Sequence, residues 1–238
     1  MFDFTNQVVM VGGASGNLGQ AIAHAFHAAG AKLVLLDRAA DQLPIQFPEL
    51  ANSADHLLLG SVDATDAASV DSAVEQALAH FGRIDVLANA IGGWRGGRAT
   101  HETSPDTWDF LQNINARTAF FLSRAVVPPM LDQGAGKIVH VAALSGLKGT
   151  AKSAAYSASK SAVLRLVESL SAELRHDGIN VNCVMPGTID TPQNREAMPQ
   201  ADHSRWVPPA AIAEVILFLA SDAAWPVNGA AVPVQGRS

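Results

Sequence analysis

Cysteine, tyrosine and charged side chains are all scarce in this sequence. Of its 238 residues only one is a cysteine, Cys183, and only one is a tyrosine, Tyr156. A single cysteine excludes a disulfide within the chain and fits a reducing compartment, and its apolar neighbours favour a small core residue. No run reaches the roughly 20 apolar residues of a membrane-spanning helix, and the N-terminus lacks the regions of a signal peptide. We therefore expect a cytoplasmic protein that does not contact a membrane.

The charge balance argues against a nucleic-acid partner. Lys and Arg number 16 against 22 Asp and Glu, the formal net charge is −6, and the basic residues are scattered along the chain. A phosphate-binding surface needs them clustered. Charged residues make up 16% of the chain and hydrophobic ones 48%, so a sizeable buried core is expected. The length suits one α/β domain over residues 1–238.

What the sequence does contain is a strand, a glycine-rich turn and a helix in immediate succession. An apolar run over residues 7–11 leads into the sequence GGASGNLG at 12–19, and a helical pattern follows. Glycines let a backbone come close to phosphates, and a helix N-terminus offers N–H groups and a favourable dipole. This order predicts a dinucleotide site whose first contacts are Gly13, Ser15, Asn17, Leu18 and Gly19.

Acidic residues follow the next two predicted strands. Asp37 ends the second strand, 18 residues beyond Gly19, where a carboxylate can accept hydrogen bonds from a ribose and would repel a 2′-phosphate. NAD(H) is therefore favoured, while Arg38 keeps NADP(H) open because a guanidinium could hold that phosphate. After the third strand, Asp63 with Ala64 either caps a turn or contacts an adenine, and the sequence does not choose between the two.

The loop after the fourth predicted strand is rich in small residues. It runs Asn89-Ala90-Ile91 and then through four glycines, with Trp94, Arg95 and Arg98 as either substrate contacts or solvated side chains. Open parallel sheets bind ligands at this end of their strands. Alternating strands and helices over the whole length predict one parallel, doubly wound, seven-stranded sheet with helices on both faces, a Rossmann-like α/β fold.

A helix is predicted to begin at Ser104-Pro105-Asp106, which combines a capping hydroxyl, a first-turn proline and an acid at the positive end of the dipole. We expect the Pro128-Pro129 pair to end it. Asn115 interrupts the apolar interior of this helix, so its amide needs buried partners and indicates a functional or network role.

Tyr156 and Lys160 lie four residues apart in a run rich in alanine and leucine, so on a helix they share one face. A cation this close should lower the tyrosine pKa from about 10, which would let the phenol exchange a proton near neutral pH. Residues 192–207 are polar and lack periodicity, as a mobile substrate lid would. With Trp94 and Arg95, the side chains of Met198, His203 and Trp206 are expected at the site entrance.

Together these motifs resemble the short-chain dehydrogenase/reductase family over nearly the entire chain. The resemblance implies that Tyr156 is the general acid or base, that Lys160 lowers its pKa and holds the nicotinamide ribose, and that Asn115 orders a proton path. It also implies a homotetramer or homodimer and a small carbonyl or alcohol substrate, and no metal site is predicted. The cofactor contacts that it implies are Gly13, Asn17, Gly19, Asp37, Asp63, Asn89, Ala90, Tyr156, Lys160, Pro186, Gly187, Ile189 and Thr191.

Three positions depart from the family pattern. Asn17 replaces the middle glycine, which we attribute to the ease with which asparagine adopts left-handed conformations. Ile91 replaces a glycine. Ala143 occupies the position of the substrate-binding serine, 13 residues before Tyr156, and Ser145 either substitutes for it or is an ordinary loop serine.

The missing serine leaves two alternatives to a carbonyl reductase. Stretches such as GGWRGG at 92–97 and DTPQNR at 190–195 look like those of dihydropteridine reductases, which also carry alanine at the serine position. The second alternative is a dinucleotide-binding protein that has lost catalysis, because a fold alone does not fix a function.

Overall fold

Seven short apolar runs form the strands of one parallel sheet in the computed structural model, which describes residues 2–237. Met1 and Ser238, the ends of the predicted domain, lie outside the described residues. The strands are Val8–Gly12 (β1), Lys32–Leu36 (β2), His56–Leu59 (β3), Val86–Asn89 (β4), Gly136–Val141 (β5), Ile179–Pro186 (β6) and Ala231–Val234 (β7). Each run is rich in Val, Ile or Leu, as expected for strands covered on both faces.

The order of the strands locates the site. Across the sheet they run β3-β2-β1-β4-β5-β6-β7, and every neighbouring pair is parallel. From β1 the chain first adds β2 and β3 on one side of that strand. It then crosses to the other side of β1 and adds β4, where Gly12 pairs with Asn89. A crevice opens at the carboxyl ends of strands where the order reverses in this way. The predicted fold class is confirmed.

Helices cover both faces of the sheet. The α-helices are Asn17–Ala28 (α1), Gln42–Gln46 (α2), Ala67–Phe81 (α3), Pro105–Leu111 (α4), Thr118–Gln133 (α5), Leu144–Leu147 (α6), Ala154–Leu174 (α7), Pro192–Ala197 (α8) and Pro209–Ala220 (α9). Alternate residues of β1 point to opposite sides, so that Val8 and Met10 pack beneath α3, α5 and α7 while Val9 and Val11 pack beneath α1 and α9. No helix within residues 2–237 is both long enough and apolar enough to cross a membrane.

Two of the predicted boundaries are wrong. The Pro128-Pro129 pair does not end its helix, because α5 continues to Gln133. Val126 and Met130, one turn apart, are both fully buried, and their packing holds the chain helical past the prolines. The second error concerns the continuity of the same predicted helix. Between α4 and α5 the residues Gln112–Arg117 form a π-helical turn in place of an uninterrupted α-helix.

Residues 192–207 contain more regular structure than predicted. Helix α8 fills their first part, capped by the Thr191 hydroxyl, which accepts a hydrogen bond from the Asn194 backbone N–H. Ion pairing of Arg195 with Asp190 and a β-bridge between Ile189 and Val207 tie the segment to the end of β6. A short 3₁₀ turn, His203–Arg205, follows α8.

Candidate active site

A cavity of about 250 Å³ lies at the carboxyl ends of β1 to β4. Eight of the predicted cofactor residues line it, namely Gly13, Ser15, Asp37, Arg38, Asp63, Ala64, Ala90 and Ile91. The sequence did not single out the remaining lining residues, which are Gly16, Leu36, Val62, Thr65, Gly92, Ile114 and Thr118. Six of these seven adjoin a predicted site residue in the sequence, including Gly92 beside Ile91 and Ile114 beside Asn115. Thr118 alone has no such neighbour.

The turn at the mouth of this first cavity depends on two glycines. Gly13 has φ +74°, a left-handed conformation. Gly19 packs so closely that an added Cβ would lie 2.0 Å from the Gly13 carbonyl oxygen. Leu18 is buried in the first turn of α1 and anchors the helix to the sheet. The tight turn brings backbone N–H groups and the α1 N-terminus to the cavity, as a phosphate group requires.

The explanation predicted for Asn17 is wrong. Asn17 is the first residue of α1, and it is absent from the residues with a left-handed backbone among those described. Its side-chain amide instead donates a 2.9 Å hydrogen bond to Oε1 of Gln193 in α8. The residue that departs from the family pattern therefore links the glycine turn to the segment after β6.

Asp37 lies directly beside the glycine turn and also lines the first cavity. Its Oδ2 accepts hydrogen bonds from both the backbone N–H and the hydroxyl of Ser15, and its Oδ1 accepts one from the Ala39 N–H. These bonds fix the carboxylate against the glycine turn.

Asp63 caps its own turn and also faces the cavity. Its Oδ1 accepts hydrogen bonds from the Thr65 N–H and hydroxyl, at 2.9 and 2.7 Å, and these bonds hold the pKa of Asp63 below its ordinary value. The nearby Arg38 guanidinium lowers the same pKa to a smaller extent. One of the two alternatives left open by the sequence, the turn cap, is thus present in the structure, and the carboxylate still lines the cavity.

Asn89 lies behind the cavity and is held by a buried histidine. Its Oδ1 accepts a hydrogen bond from the Ile91 N–H, and its Nδ2 donates to Nδ1 of His140 at 3.2 Å. The other ring nitrogen of His140, Nε2, lies 2.9 Å from the Ser123 hydroxyl, which donates to the Ala119 carbonyl. This chain of donors requires a neutral imidazole protonated on Nε2.

We expect acid to destabilise the protein through His140. Burial, assisted by the charge of Lys160, lowers the pKa of His140 from 6.5 to about 4. Between pH 4 and pH 6.5 the His140 ring is therefore protonated in the unfolded chain but mostly neutral in the folded protein. The stability that the neutral ring provides is therefore complete above pH 6.5 and is lost as the pH falls through 4.

A matched variant isolates this effect. Between pH 7 and pH 4 the free energy of unfolding from urea titrations should fall by about 3 kcal/mol more in the wild type than in His140→Gln. The glutamine keeps a polar group at the site but does not titrate, and both proteins carry the same remaining histidines. Parallel pH profiles for the two proteins would contradict the assignment.

Tyr156 and Lys160 lie one turn apart on α7, as predicted, but the predicted pKa effect is wrong. Burial raises the pKa of Tyr156 to about 12, and it lowers the pKa of Lys160 to about 8. The Lys160 ammonium is directed elsewhere and donates a 2.9 Å hydrogen bond to the Val141 carbonyl. At neutral pH the site therefore holds a protonated phenol and a buried cation.

Asn115 has the buried partners that the sequence predicts. It lies in the π-helical turn, where it is 1% exposed. Its amide accepts a 3.0 Å hydrogen bond from the Gly93 N–H and donates to the Gly93 carbonyl and to the Ser159 hydroxyl. Asn115 thus joins the loop after β4 to α7. π-Helical turns of this kind are frequent at functional sites.

Gly92 lies between the first cavity and the α7 residues. A Cβ added at Gly92 would be 3.1 Å from the Lys160 Nζ and 3.0 Å from the Asn115 Oδ1. Gly92 lines the first cavity, so both side chains lie next to a residue of its wall, although neither is itself a lining residue. The Lys160 ammonium has three N–H donors. Within residues 2–237 only one of them has a protein acceptor, the Val141 carbonyl, so two donors remain.

Ser145 lies on α6, which packs against α7 at Lys160. The contact is close, since a Cβ added at Gly146 would be 2.8 Å from the Lys160 carbonyl carbon. Ala143 is buried just before α6. Ser145 is partly buried, and its hydroxyl has no hydrogen-bond partner within residues 2–237.

The predicted contacts after β6 do not line the first cavity. Pro186 ends β6, and Gly187, Ile189 and Thr191 lead into α8 without lining the first cavity. The expected entrance residues divide into two groups. Trp94 and Met198 are exposed, whereas Trp206 is only 8% exposed and packs against the His203 ring, so Trp206 is a packing residue.

Sequence comparisons with known proteins find relatives that are named as reductases or dehydrogenases. A family model described as enoyl-(acyl carrier protein) reductase matches residues 13–236. The chain is 35% identical to 2-(R)-hydroxypropyl-CoM dehydrogenase of Xanthobacter autotrophicus, over 97% of this chain and 98% of that protein.

Two solved structures that superpose on this chain are also named as reductases or dehydrogenases. A short-chain dehydrogenase/reductase from Brucella melitensis superposes with a TM-score of 0.86 at 33% identity, covering 99% of this chain and 97% of that one. Levodione reductase superposes with a TM-score of 0.89 at 31% identity, covering 98% of this chain and 97% of its own.

Proposed function

Because the chain belongs to the short-chain dehydrogenase/reductase family, we propose that it is an NAD(H)-dependent oxidoreductase that interconverts a small carbonyl compound and its alcohol. The observation that carries the proposal is the placement of Tyr156 and Lys160. They share one face of α7, and the Lys160 ammonium lies next to Gly92, a residue of the wall of the first cavity. The names of two relatives, a hydroxypropyl-CoM dehydrogenase and a levodione reductase, support alcohol and carbonyl chemistry.

The first cavity suits a dinucleotide. Because Gly19 packs directly on Gly13, no side chain stands in front of the α1 N-terminus, where a phosphate group of the dinucleotide would bind. Asp37 is fixed by Ser15 beside the glycine turn, where it would accept hydrogen bonds from a ribose.

The charges of the cavity favour NAD(H) over NADP(H). Two carboxylates line it, those of Asp37 and Asp63, against the single guanidinium of Arg38. Arg38 lies near enough to Asp63 to lower its pKa, so part of its charge is already offset. A 2′-phosphate would therefore meet net repulsion.

The chain's own residues supply the proton and the orientation. Tyr156, protonated at neutral pH, donates its hydroxyl proton to the carbonyl oxygen of the substrate. The bound dinucleotide supplies the hydride that forms the new C–H bond at the carbonyl carbon. Lys160 would hold the nicotinamide ribose with its two remaining N–H groups, and Ser145 would hydrogen-bond the carbonyl oxygen in place of the missing serine.

The experiment is NADH oxidation followed at 340 nm, with NADPH in parallel. The substrates are a panel of small ketones and aldehydes and chemically generated quinonoid dihydropterin. We expect turnover of at least one carbonyl compound, with a higher kcat/KM for NADH than for NADPH.

The other outcomes each contradict one part of the proposal. Turnover of the pterin alone would make the protein a dihydropteridine reductase. NADH binding without consumption on any substrate would indicate a protein that binds the dinucleotide but has no activity, and a preference for NADPH would contradict the role of Asp37.

A further inference from the structure

A second, smaller cavity of about 90 Å³ opens next to the N-terminus of α7 and is rich in positive charge. Three cationic side chains line it, those of Arg95, Arg98 and Lys152. The remaining lining residues are small or carry hydroxyl groups, namely Gly96, Thr103, Thr107, Ser153, Ala154 and Ala155. Thus two loops, one after β4 and one before α7, direct their basic side chains to the same place.

The positive charge of this second cavity is not balanced nearby. No carboxylate lines the cavity among the described residues, and no ion pair within 2–237 involves any of the three cations. Two acids adjoin lining residues in the sequence, Glu102 and Asp106, and neither lines the cavity. Glu102 accepts a hydrogen bond from the Ala99 N–H. Three unpaired cations around one cavity are unusual for a chain whose net charge is −6.

Contacts within the protein hold the two loops in place. The Gly97 N–H donates a 2.9 Å hydrogen bond to the Lys152 carbonyl. The Arg95 guanidinium lies 3.6 Å from the centre of the Phe110 ring, a cation–π contact that limits its motion. The Arg95 guanidinium and the backbone at Lys152 are therefore partly preorganised, which reduces the entropy lost when an anion binds.

The second cavity adjoins the proposed catalytic residues. Ala154 and Ala155, which line it, immediately precede Tyr156, and Lys152 lies in the loop two residues before α7 begins. The loop that carries Arg95 and Arg98 passes Lys160 at Gly92. A small substrate bound at Tyr156 could thus extend one end into this cavity.

We propose that the second cavity binds an anionic group of the substrate, a carboxylate or a sulfonate, and so selects anionic carbonyl compounds over neutral ones. The inference rests on the proposed function, because it places the reacting carbon at Tyr156. Guanidinium groups match the planar oxygens of a carboxylate, and hydrogen bonds between charged groups are stronger than neutral ones.

Pairs of substrates that differ only in charge test the proposal. We would measure NADH-dependent reduction of 3-oxobutanoate and 4-oxopentanoate, each beside its neutral methyl ester, with 2-oxopropanesulfonate as the sulfonate probe. The wild type should reduce at least one anion with a kcat/KM about tenfold or more above that of its ester or of a neutral ketone, since a charged hydrogen bond contributes about 1.5–3 kcal/mol.

Variants assign the preference to the cavity. Arg98→Gln and Lys152→Gln should each raise KM for the preferred anion by about tenfold, with little change in kcat or in ester reduction. Lys148→Gln is the matched control, because Lys148 is an exposed lysine of the same loop that does not line the cavity. It should leave both KM values unchanged.

A binding measurement separates this proposal from the proposed function. Saturation-transfer NMR with butanoate and 1-propanesulfonate, two unreactive probes, should show binding to the wild type that is weakened in Arg98→Gln. Equal kcat/KM for acid and ester, or equal losses in Lys148→Gln and Arg98→Gln, would overturn the anion site. Anion binding without any turnover would keep the site and reject the enzyme.

Discussion

Tyr156→Phe should abolish turnover while NADH still binds. General acid catalysis contributes roughly 10²- to 10⁴-fold, so kcat should fall by about that factor. Within residues 2–237 the Tyr156 hydroxyl has no hydrogen-bond partner, so its removal leaves no orphaned group in the protein. Phenylalanine keeps the aromatic ring, so the packing of the side chain at this position is unchanged.

The readouts for this variant separate chemistry from binding. Steady-state kcat comes from the 340 nm assay, NADH affinity from fluorescence titration, and folding from the thermal midpoint. We expect kcat alone to change, with the other two close to the wild-type values. Turnover within about threefold of the wild type would refute the role of Tyr156, because far larger losses follow removal of an acid.

The second large effect is expected at the glycine turn. Gly19→Ala would place a methyl group 2.0 Å from the Gly13 carbonyl oxygen and 2.9 Å from the Ala14 Cα, both backbone atoms. Either the turn or α1 must move, which shifts the N–H groups that face the phosphates. NADH affinity should fall by about a hundredfold or more, the equivalent of about 3 kcal/mol.

The control for this variant is Gly149→Ala. Gly149 has open space around its Cα and no left-handed backbone, and it lines neither cavity. Calorimetric titration with NADH should give the wild-type Kd for Gly149→Ala and a greatly weakened Kd for Gly19→Ala, with both proteins shown to be folded by circular dichroism. Wild-type affinity in Gly19→Ala would mean that the dinucleotide does not depend on this turn.

The fold could be predicted from local patterns. Buried apolar runs bounded by turns specify the strands, and the approach of Gly19 to Gly13 explains why the glycine spacing is a strong signal. The cavity residues adjacent to strand ends, such as Asp37 and Ala90, follow from the same rule, since parallel strands meet a ligand at their carboxyl ends.

The errors arise where tertiary structure overrides a local rule. The burial of Val126 and Met130 keeps a helix intact through two prolines, and sequence alone does not give that burial. The Tyr156 pKa rises where a nearby cation would lower it, because burial dominates and Lys160 is directed to Val141. The π-helical turn, which contains Ile114 and immediately precedes Thr118, packs against α7 through the hydrogen bond of Asn115 to Ser159, a contact between residues far apart in the sequence.

The most direct test of the central claim is the fate of the hydride. The wild-type protein would be incubated with NADH carrying deuterium at C4 of the nicotinamide, with each diastereomer in turn, and with the best carbonyl substrate from the 340 nm assay. We predict that one diastereomer alone delivers deuterium to the carbinol carbon of the product, detected by mass spectrometry and NMR. Consumption of NADH without deuterium in the alcohol, from either diastereomer, would contradict the account.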